Sequence, residues 1–511
     1  MRKIEKIQIV KNVTSSWFAL GVNIVVGIFL SPFILHRLGD SAFGIWVLIF
    51  SITGYYGLFD LGIRSSIVRY ISKFTATGDT EAAAKLLNTS LFSYCGVGIL
   101  SFIVTILVAA NAHWIFKVPL EYRSTAPWLL LMAGTAVALG FPLGVFGGVL
   151  EGLQKFYVLN WTNIASTLLR AILIVYFLRR GYGLLTAIFI TVAVPMVASV
   201  VRGVIALRIL PLPLRWRYVD RSTLREMAHY SSATLITIVA SRLRFNSDEI
   251  VIGTMLSAAA VTYFNIGARI VDYAGEVVTS LAQVFVPMSS QSDAKGDMVR
   301  LRKILVAGNR FCAFIIFPIC AILIILGKSV IEVWVGQKYI VTSYPVLVVM
   351  IIPSTLFFAQ AASGRILFGM GKHRTVALVN LAEGIVNLVL SIILVRPFGI
   401  IGDALGTAIP LTCTMIFFLP AHLCHILSIR ILTFLREAYV LPLIMCAPLT
   451  LTLLLLKKWF VAHNYRELGM QLGIAGFVYG IGLLWAYLNN HVLRVGDLSP
   501  PKEPVAPAFD T

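Results

Sequence analysis

An all-α integral membrane protein is the fold class this sequence predicts, and three observations predict it. Hydrophobic residues make up 58% of the 511-residue chain and charged residues only 13%. A soluble domain is nearer a quarter charged, because water must solvate its surface. Apolar runs recur along the chain at lengths of about 17–25 residues, enough to cross roughly 30 Å of hydrocarbon. Most of the 42 Lys and Arg residues punctuate the gaps between those runs, as loop cations do at a membrane surface.

The runs place about fourteen transmembrane helices. They lie near 13–36, 42–62, 88–111, 125–149, 158–178, 184–207, 231–254, 258–288, 309–330, 343–368, 376–395, 402–427, 434–456 and 468–490. The first follows MRKIEKIQIVKNV, which has the charge of a secretory leader. The run is too long for one, holds Asn23 and Pro32, and lacks a small-residue cleavage site, so it reads as a retained helix. The second ends in Asp60 and the seventh is heavily charged; these carry the weakest apolar signal. An even number of spans puts both termini on one face, and the heaviest basic loops, Arg208 to Arg225 and Lys295 to Lys303, share it. The positive-inside rule makes that face cytoplasmic.

Set against itself at an offset of about 217–218, the chain repeats. Gly78-Asp79 falls on Gly296-Asp297, and Gly147, Gly152, Lys155 and Arg179 fall on Gly364, Gly369, Lys372 and Arg396. Two six-helix copies that start on the same side are parallel repeats. The expected organisation is an N-terminal lobe at 1–208 (spans 1–6), a cytoplasmic amphipathic linker at 209–230 and a C-terminal lobe at 231–427 (spans 7–12). Two extra C-terminal helices follow at 428–495, then a disordered, Pro-rich tail at 496–511. The linker, PLPLRWRYVDRSTLREM, reads as a Pro-broken start and then a surface helix.

Charge and motif content exclude several functions. The net charge of +19 lies in loops, not in a basic stripe with interleaved aromatics, so nucleic acid is not an expected partner. Six cysteines fall in apolar runs without CxxC or zinc spacing and read as small buried hydrophobes. No HExxH or P-loop is present. No catalytic residue, metal ligand or cofactor is assigned; the chain moves or anchors something.

Ionisable residues inside spans are the informative ones, each costing on the order of 2.5–3.5 kcal/mol at a helix centre. Span seven reads SRLRFNSDEIVIG, with Arg242, Arg244, Asn246, Asp248 and Glu249; Arg244 and Asp248 are four apart and can pair on a helix face. Span eight places Arg269, Asp272 and Glu276 on one face. Asp60 and Arg64 are four apart at the end of span two, and Arg170 and Arg365 are single in-span arginines. Structural pairing and the lining of a hydrated cavity are both open readings of these groups. Tyr55, Tyr56, Tyr263 and Tyr273 are candidates for stacking on sugar rings.

The stretch LHRLGDSAFGIWVLIFSITGYYGLFDLGIRSSIVRYIS resembles the opening spans of Wzx-type polysaccharide-unit flippases, in the multidrug/oligosaccharidyl-lipid/polysaccharide exporter superfamily. NSDEIVIGTMLSAAAVTYFNIGARI is similar to that family's second-lobe opening, with Asp248 at its acidic position; FVPMSS and GMGKHRTVALVN are similar to further motifs. The resemblance covers roughly 10–430. It implies an alternating-access transporter that flips a polyprenyl-diphosphate-linked oligosaccharide from inner to outer leaflet during cell-surface polysaccharide (lipopolysaccharide) biosynthesis. Substrate-binding candidates are then Arg242, Arg244, Arg269, Arg64, Arg170 and Arg365, since Arg grips phosphate bidentately. Coupling candidates are Asp248, Glu249, Asp272, Glu276 and Asp60. Expected partners are the lipid-linked oligosaccharide and membrane lipid, with a polysaccharide polymerase and glycosyltransferases allowed by the resemblance. A lipid II flippase, a cation-coupled multidrug exporter and a non-transporting scaffold for glycosyltransferases are the competing readings.

Overall fold

The computed structural model describes residues 3–245, 247–372 and 374–489, and helices and their connecting turns make up the described residues. Asn246 and the tail at 496–511 lie outside them. Among the described residues, eleven helical segments are long and apolar enough to cross a membrane by length and composition. The chain divides into two compact units, Met1–Thr262 and Tyr263–Thr511.

The first unit opens with α1 (Lys3–Leu38) and α2 (Asp40–Tyr55). A 3-10 turn (Tyr56–Asp60) leads to α3 (Ile63–Thr77), and then follow α4 (Thr80–Ala110), the short α5 (Ala112–Ile115), α6 (Ala126–Gly152), α7 (Phe156–Arg179) and α8 (Leu184–Ile209). It closes with α9 (Arg221–Phe245) and α10 (Asp248–Met255). Polar side chains fasten α1 to α7: Asn160 Nδ2 donates to Ser15 and Ser16 at 2.9 Å, and Thr167 donates to Asn23 at 3.0 Å. Such bonds suit helices in lipid, where apolar contact alone gives no preference over the acyl chains. On α6, Gly148 and Gly152 let α3 approach; an added Cβ would meet Ile67 at 3.0 Å and Ile71 at 2.9 Å. Ile67 and Ile71 are fully buried there with Leu86, Leu87 and Leu150.

The linker does not form a helix of its own. Residues 210–215 are non-helical around Pro211 and Pro213, and a 3-10 turn covers Trp216–Tyr218. Helix begins only at Arg221, where the Asp220 carboxylate accepts from Thr223 N at 2.7 Å, and α9 runs unbroken into the segment read as span seven. Proline and an acidic cap set that boundary more strongly than the amphipathic pattern does. Hydrogen bonds from Ser222 and Thr223 hold the Asp220 carboxyl well below the usual carboxylate range.

The second unit takes up α11 (Ala258–Ala282) after its first turn. It continues through α12 (Phe285–Ala294), α13 (Met298–Val335), α14 (Ile340–Ala359), α15 (Ala361–Gly369), α16 (Arg374–Cys413) and α17 (Leu419–Ile426). The internal repeat survives in the backbone. Gly78 (φ 73°) and Gly296 (φ 64°) are both left-handed, and the next residues, Asp79 and Asp297, cap α4 and α13 by accepting from Ala82 N and Arg300 N at 2.9 Å. Gln154 (φ 57°) matches Gly371 (φ 70°), each followed by a lysine N–H bonded back to Leu150 O or Leu367 O. Helix α16 breaks at Gly399, whose φ of 58° and ψ of −138° are non-helical, at the gap expected between spans eleven and twelve. Across that break Gly406 meets Ser391; an added Cβ would lie 2.5 Å from Ser391 N.

Beyond the repeat, α18 (Ile431–Leu435), a π-helical turn (Arg436–Val440), α19 (Leu441–Trp459) and α20 (Tyr465–Leu488) follow, with α19 and α20 packed on α13. Buried Leu449, Leu453 and Ala475 meet Ile325 and Leu326 of α13. The buried Arg310 of α13 reaches the π turn: its Nε donates to Glu437 O at 2.7 Å, and Nη2 donates to that carbonyl and to Glu437 Oε2, the latter at 3.3 Å. A π turn displaces the helical hydrogen-bond ladder, which leaves a carbonyl for the guanidinium.

In the α19–α20 connection, His463 Nδ1 lies 2.8 Å from Glu332 Oε1, and that carboxylate raises the imidazole above its ordinary value. A folded-state value above the unfolded one stabilises the connection fully below pH about 6.5 and loses that contribution as pH rises through the folded value. Melting of the purified protein should therefore fall slightly between pH 6 and 8. His463→Gln should remove that slope; an identical slope in the variant would assign it to other groups.

Candidate functional site

In the first unit the site starts from a break in the chain. Leu61 (φ 50°) and Gly62 (φ 78°) are consecutive left-handed residues that end the 3-10 turn and restart the chain as α3. The turn leaves the Asp60 carboxylate accepting from the Tyr94 hydroxyl and, at 3.4 Å, from Arg64 N. The Arg64 side chain turns to α6: Nη2 lies 2.5 Å from Glu151 Oε1 and Nε lies 3.4 Å from Oε2. That fork-on-carboxylate geometry replaces the Asp60–Arg64 side-chain pair suggested by their spacing, because the two left-handed residues interrupt the helix between them. Asp60, Arg64, Arg69, Glu151 and Ile238 line an open cavity of about 490 Å³.

Arg202 on α8 donates to Ala198 O and Ser199 Oγ, both at 3.2 Å and both on its own helix. Arg170 on α7 has a buried Nε with no hydrogen-bond partner among the described residues.

The span-seven residues lie at the junction of α9 and α10. Arg242 and Arg244 occupy the last turn of α9, and Asp248 and Glu249 the first turn of α10. Cations at a helix C-terminus and anions at an N-terminus each complement the helix dipole. Arg244 and Asp248 are 3% and 5% exposed. Arg242 runs over the 3-10 turn, where a Cβ on Gly57 would sit 3.0 Å from Arg242 Nη2, and Tyr55 OH donates to Arg242 O at 3.2 Å. Tyr56 is buried with its hydroxyl 3.1 Å from Thr105 Oγ1, which removes it as a sugar platform.

Just beyond, the chain closes tightly against α2. A Cβ on Gly44 would fall 1.7 Å from Ala258 O, and one on Gly253 would fall 2.7 Å from Leu48 Cδ1. Thr262 Oγ1 donates to Asp40 O at 2.7 Å, and Lys117 Nζ donates to Met255 O at 2.5 Å.

In the second unit, Arg269, Asp272 and Glu276 form the expected polar stripe on α11. Asp272 is exposed and 3.7 Å from Arg269 Nη1, and the Arg269 guanidinium lies 4.7 Å from the centroid of the Tyr273 ring. Tyr273 meets Trp334 edge to face at 6.5 Å, so one face of its ring is held by a cation. Beyond α11, Gln283 oriented with its oxygen toward Arg365 accepts from both guanidinium nitrogens, at 3.1 and 3.3 Å.

Sequence reasoning missed Glu151, Tyr94 and Arg202. Glu151 ends an apolar run, where a carboxylate looks like an ordinary helix-end charge; the Gly147-Gly148 pair just before it was the available signal of a close helix approach. It also missed a buried polar knot in α16, where Asn387 Oδ1 accepts from Ser391 at 3.0 Å and Thr407 at 3.2 Å beside the fully buried Asp403. Of the cysteines, Cys312, Cys424 and Cys446 are buried, but Cys95 and Cys413 are exposed; an apolar run in lipid can face outward. Among the described residues no cluster of three or more His, Cys, Asp or Glu could hold a metal ion.

A family model described as "Polysaccharide biosynthesis protein" matches residues 9–293. The Shigella flexneri protein named "Putative O-antigen transporter" is 22% identical over 426 residues, covering 78% of this chain and 94% of that one. The solved structure titled "Lipid II flippase MurJ, inward closed conformation" has a TM-score of 0.70 at 17% identity and covers 94% of this chain and 99% of that chain. An inward-facing multidrug resistance MATE family transporter of the MOP superfamily has a TM-score of 0.66 at 15% identity, covering 80% of this chain and 94% of its own.

Proposed function

Because the chain belongs to the polysaccharide biosynthesis protein family, we propose that it flips a polyprenyl-diphosphate-linked oligosaccharide from the inner to the outer leaflet by alternating access. The protein transports; it does not catalyse a chemical transformation. The observation that carries the substrate class is the surplus of arginine inside the helices. Arg64 lines the cavity of the first unit, and Arg269 and Arg365 attend the polar stripe and its end in the second. A cation exporter would need the opposite sign. Arg170, Arg242 and Arg244 complete the proposed substrate-binding set, and Asp248, Glu249, Asp272, Glu276 and Asp60 the proposed coupling set.

Fourteen crossings follow if the 53-residue segment Arg374–Ile426 counts as two, split at Gly399, and α9–α10 and α11 are added as polar spans. Both termini then lie in the cytoplasm of a bacterial inner membrane. The lobe boundaries proposed from the repeat stand beside the contact-defined units as a division by ancestry. Polymerase and glycosyltransferase partners belong to the same reading.

The test is transport of a labelled lipid-linked oligosaccharide in vesicles holding only this protein. A diphosphate carrying about two negative charges gains roughly 2.3 kcal/mol per charge per 100 mV. Transport should speed up when a potassium–valinomycin potential is negative on the donor side. Equal rates at both polarities would remove the electrical drive, and no transport at all would favour the scaffold reading.

A further inference from the structure

We propose that Glu151 is a displaceable internal anion, which holds Arg64 while the cavity is empty and yields it to the phosphate group of the substrate. The inference rests on the transport reading above and deepens it. Three features of the first unit carry it. The Glu151 carboxylate takes Arg64 through both Nη2 and Nε, the same planar fork that a phosphate would engage. The pair is open, with side-chain exposures of 48% for Arg64 and 22% for Glu151, and it borders a cavity of about 490 Å³, within the roughly 300–1,000 Å³ of small-molecule sites. Exposed pairs are weak, so an entering anion can break this one at little cost.

Arg69 gives the exchange its direction. It lines the same cavity as Arg64. An anion in that cavity meets both cations, whereas the Glu151 fork is on Arg64. Asp60 does not compete in the same way, because its carboxylate is held by Tyr94 and the Arg64 backbone. Gly147, one turn before Glu151, leaves the guanidinium room to move; a Cβ there would already touch Nη2 at 3.6 Å.

The experiment measures binding of geranylgeranyl diphosphate to the purified full chain in detergent, with geranylgeraniol as the uncharged control. Glu151→Gln should tighten diphosphate binding about tenfold, and Arg64→Gln and Arg69→Gln should each weaken it about tenfold, with the alcohol unaffected. A residue that only braces Arg64 cannot produce tightening when it is removed. If E151Q binds the diphosphate no better than wild type while R64Q weakens it, Glu151 is a brace and the exchange is wrong, but the transport reading stands. If wild type binds the diphosphate no better than the alcohol, the phosphate-gripping reading itself falls. Should E151Q fail to fold, Glu151→Asp carries the same test, its retracted carboxylate giving about threefold tightening; wild-type affinity in E151D would then overturn the proposal.

Discussion

Arg310→Leu should lower the stability of the protein by about 3–5 kcal/mol, the cost of removing one partner of a buried ion pair. Arg310 is 3% exposed and bonds both the carbonyl and the carboxylate of Glu437, so leucine would strand the carbonyl and leave the carboxylate to Arg436. Replacing Glu437 with leucine as well should recover part of the loss, since the charge goes but the π-turn carbonyl stays. Thermal melting of the three variants in detergent checks this. A wild-type melt for R310L would show that the pair contributes nothing and that apolar contacts alone fasten the last two helices. The contrast with Arg64–Glu151 is one of burial: the same chemistry is rigid in one place and yielding in the other.

Gly44→Val should be the most damaging substitution for transport. The Cβ position lies 1.7 Å from Ala258 O and 2.5 Å from Ala258 C, and backbone atoms cannot rotate aside as a side chain can. Overpacking of this kind costs about 3 kcal/mol at the upper end, enough to shift a two-state closure roughly 100-fold. In the proposed orientation this contact lies toward the outer face. A cysteine placed at the buried Ala42, with native cysteines replaced, should react with a membrane-impermeant thiol reagent far faster in the G44V background, and vesicle transport should fall in parallel. Unchanged labelling together with unchanged transport would show that the contact of α2 with the first turn of α11 does not gate the path.

How much of this was legible in the sequence depends on how local each cause is. The repeat offset and the break at Gly399 were readable, because glycine, proline and aspartate act on their own few residues of backbone. The Arg64–Glu151 pair was not, since the partners are 87 residues apart and nothing in either stretch names the other. The Pro-broken start of the linker was readable too, while Asp220 as the cap of α9 was not brought out by the amphipathic pattern.

The polarity of α9 bears on how the protein is made. Two arginines in its last turn would cost about 5–7 kcal/mol together on insertion scales, so α9 is a poor candidate to leave the translocon into lipid alone. It does not have to, because it packs against α3 and α4, which are synthesised before it. Vectorial synthesis thus gives the least apolar helix a proteinaceous berth before it needs one. A chain begun at Arg221 would lack that berth, and its second repeat would meet the bilayer with its most polar helix first.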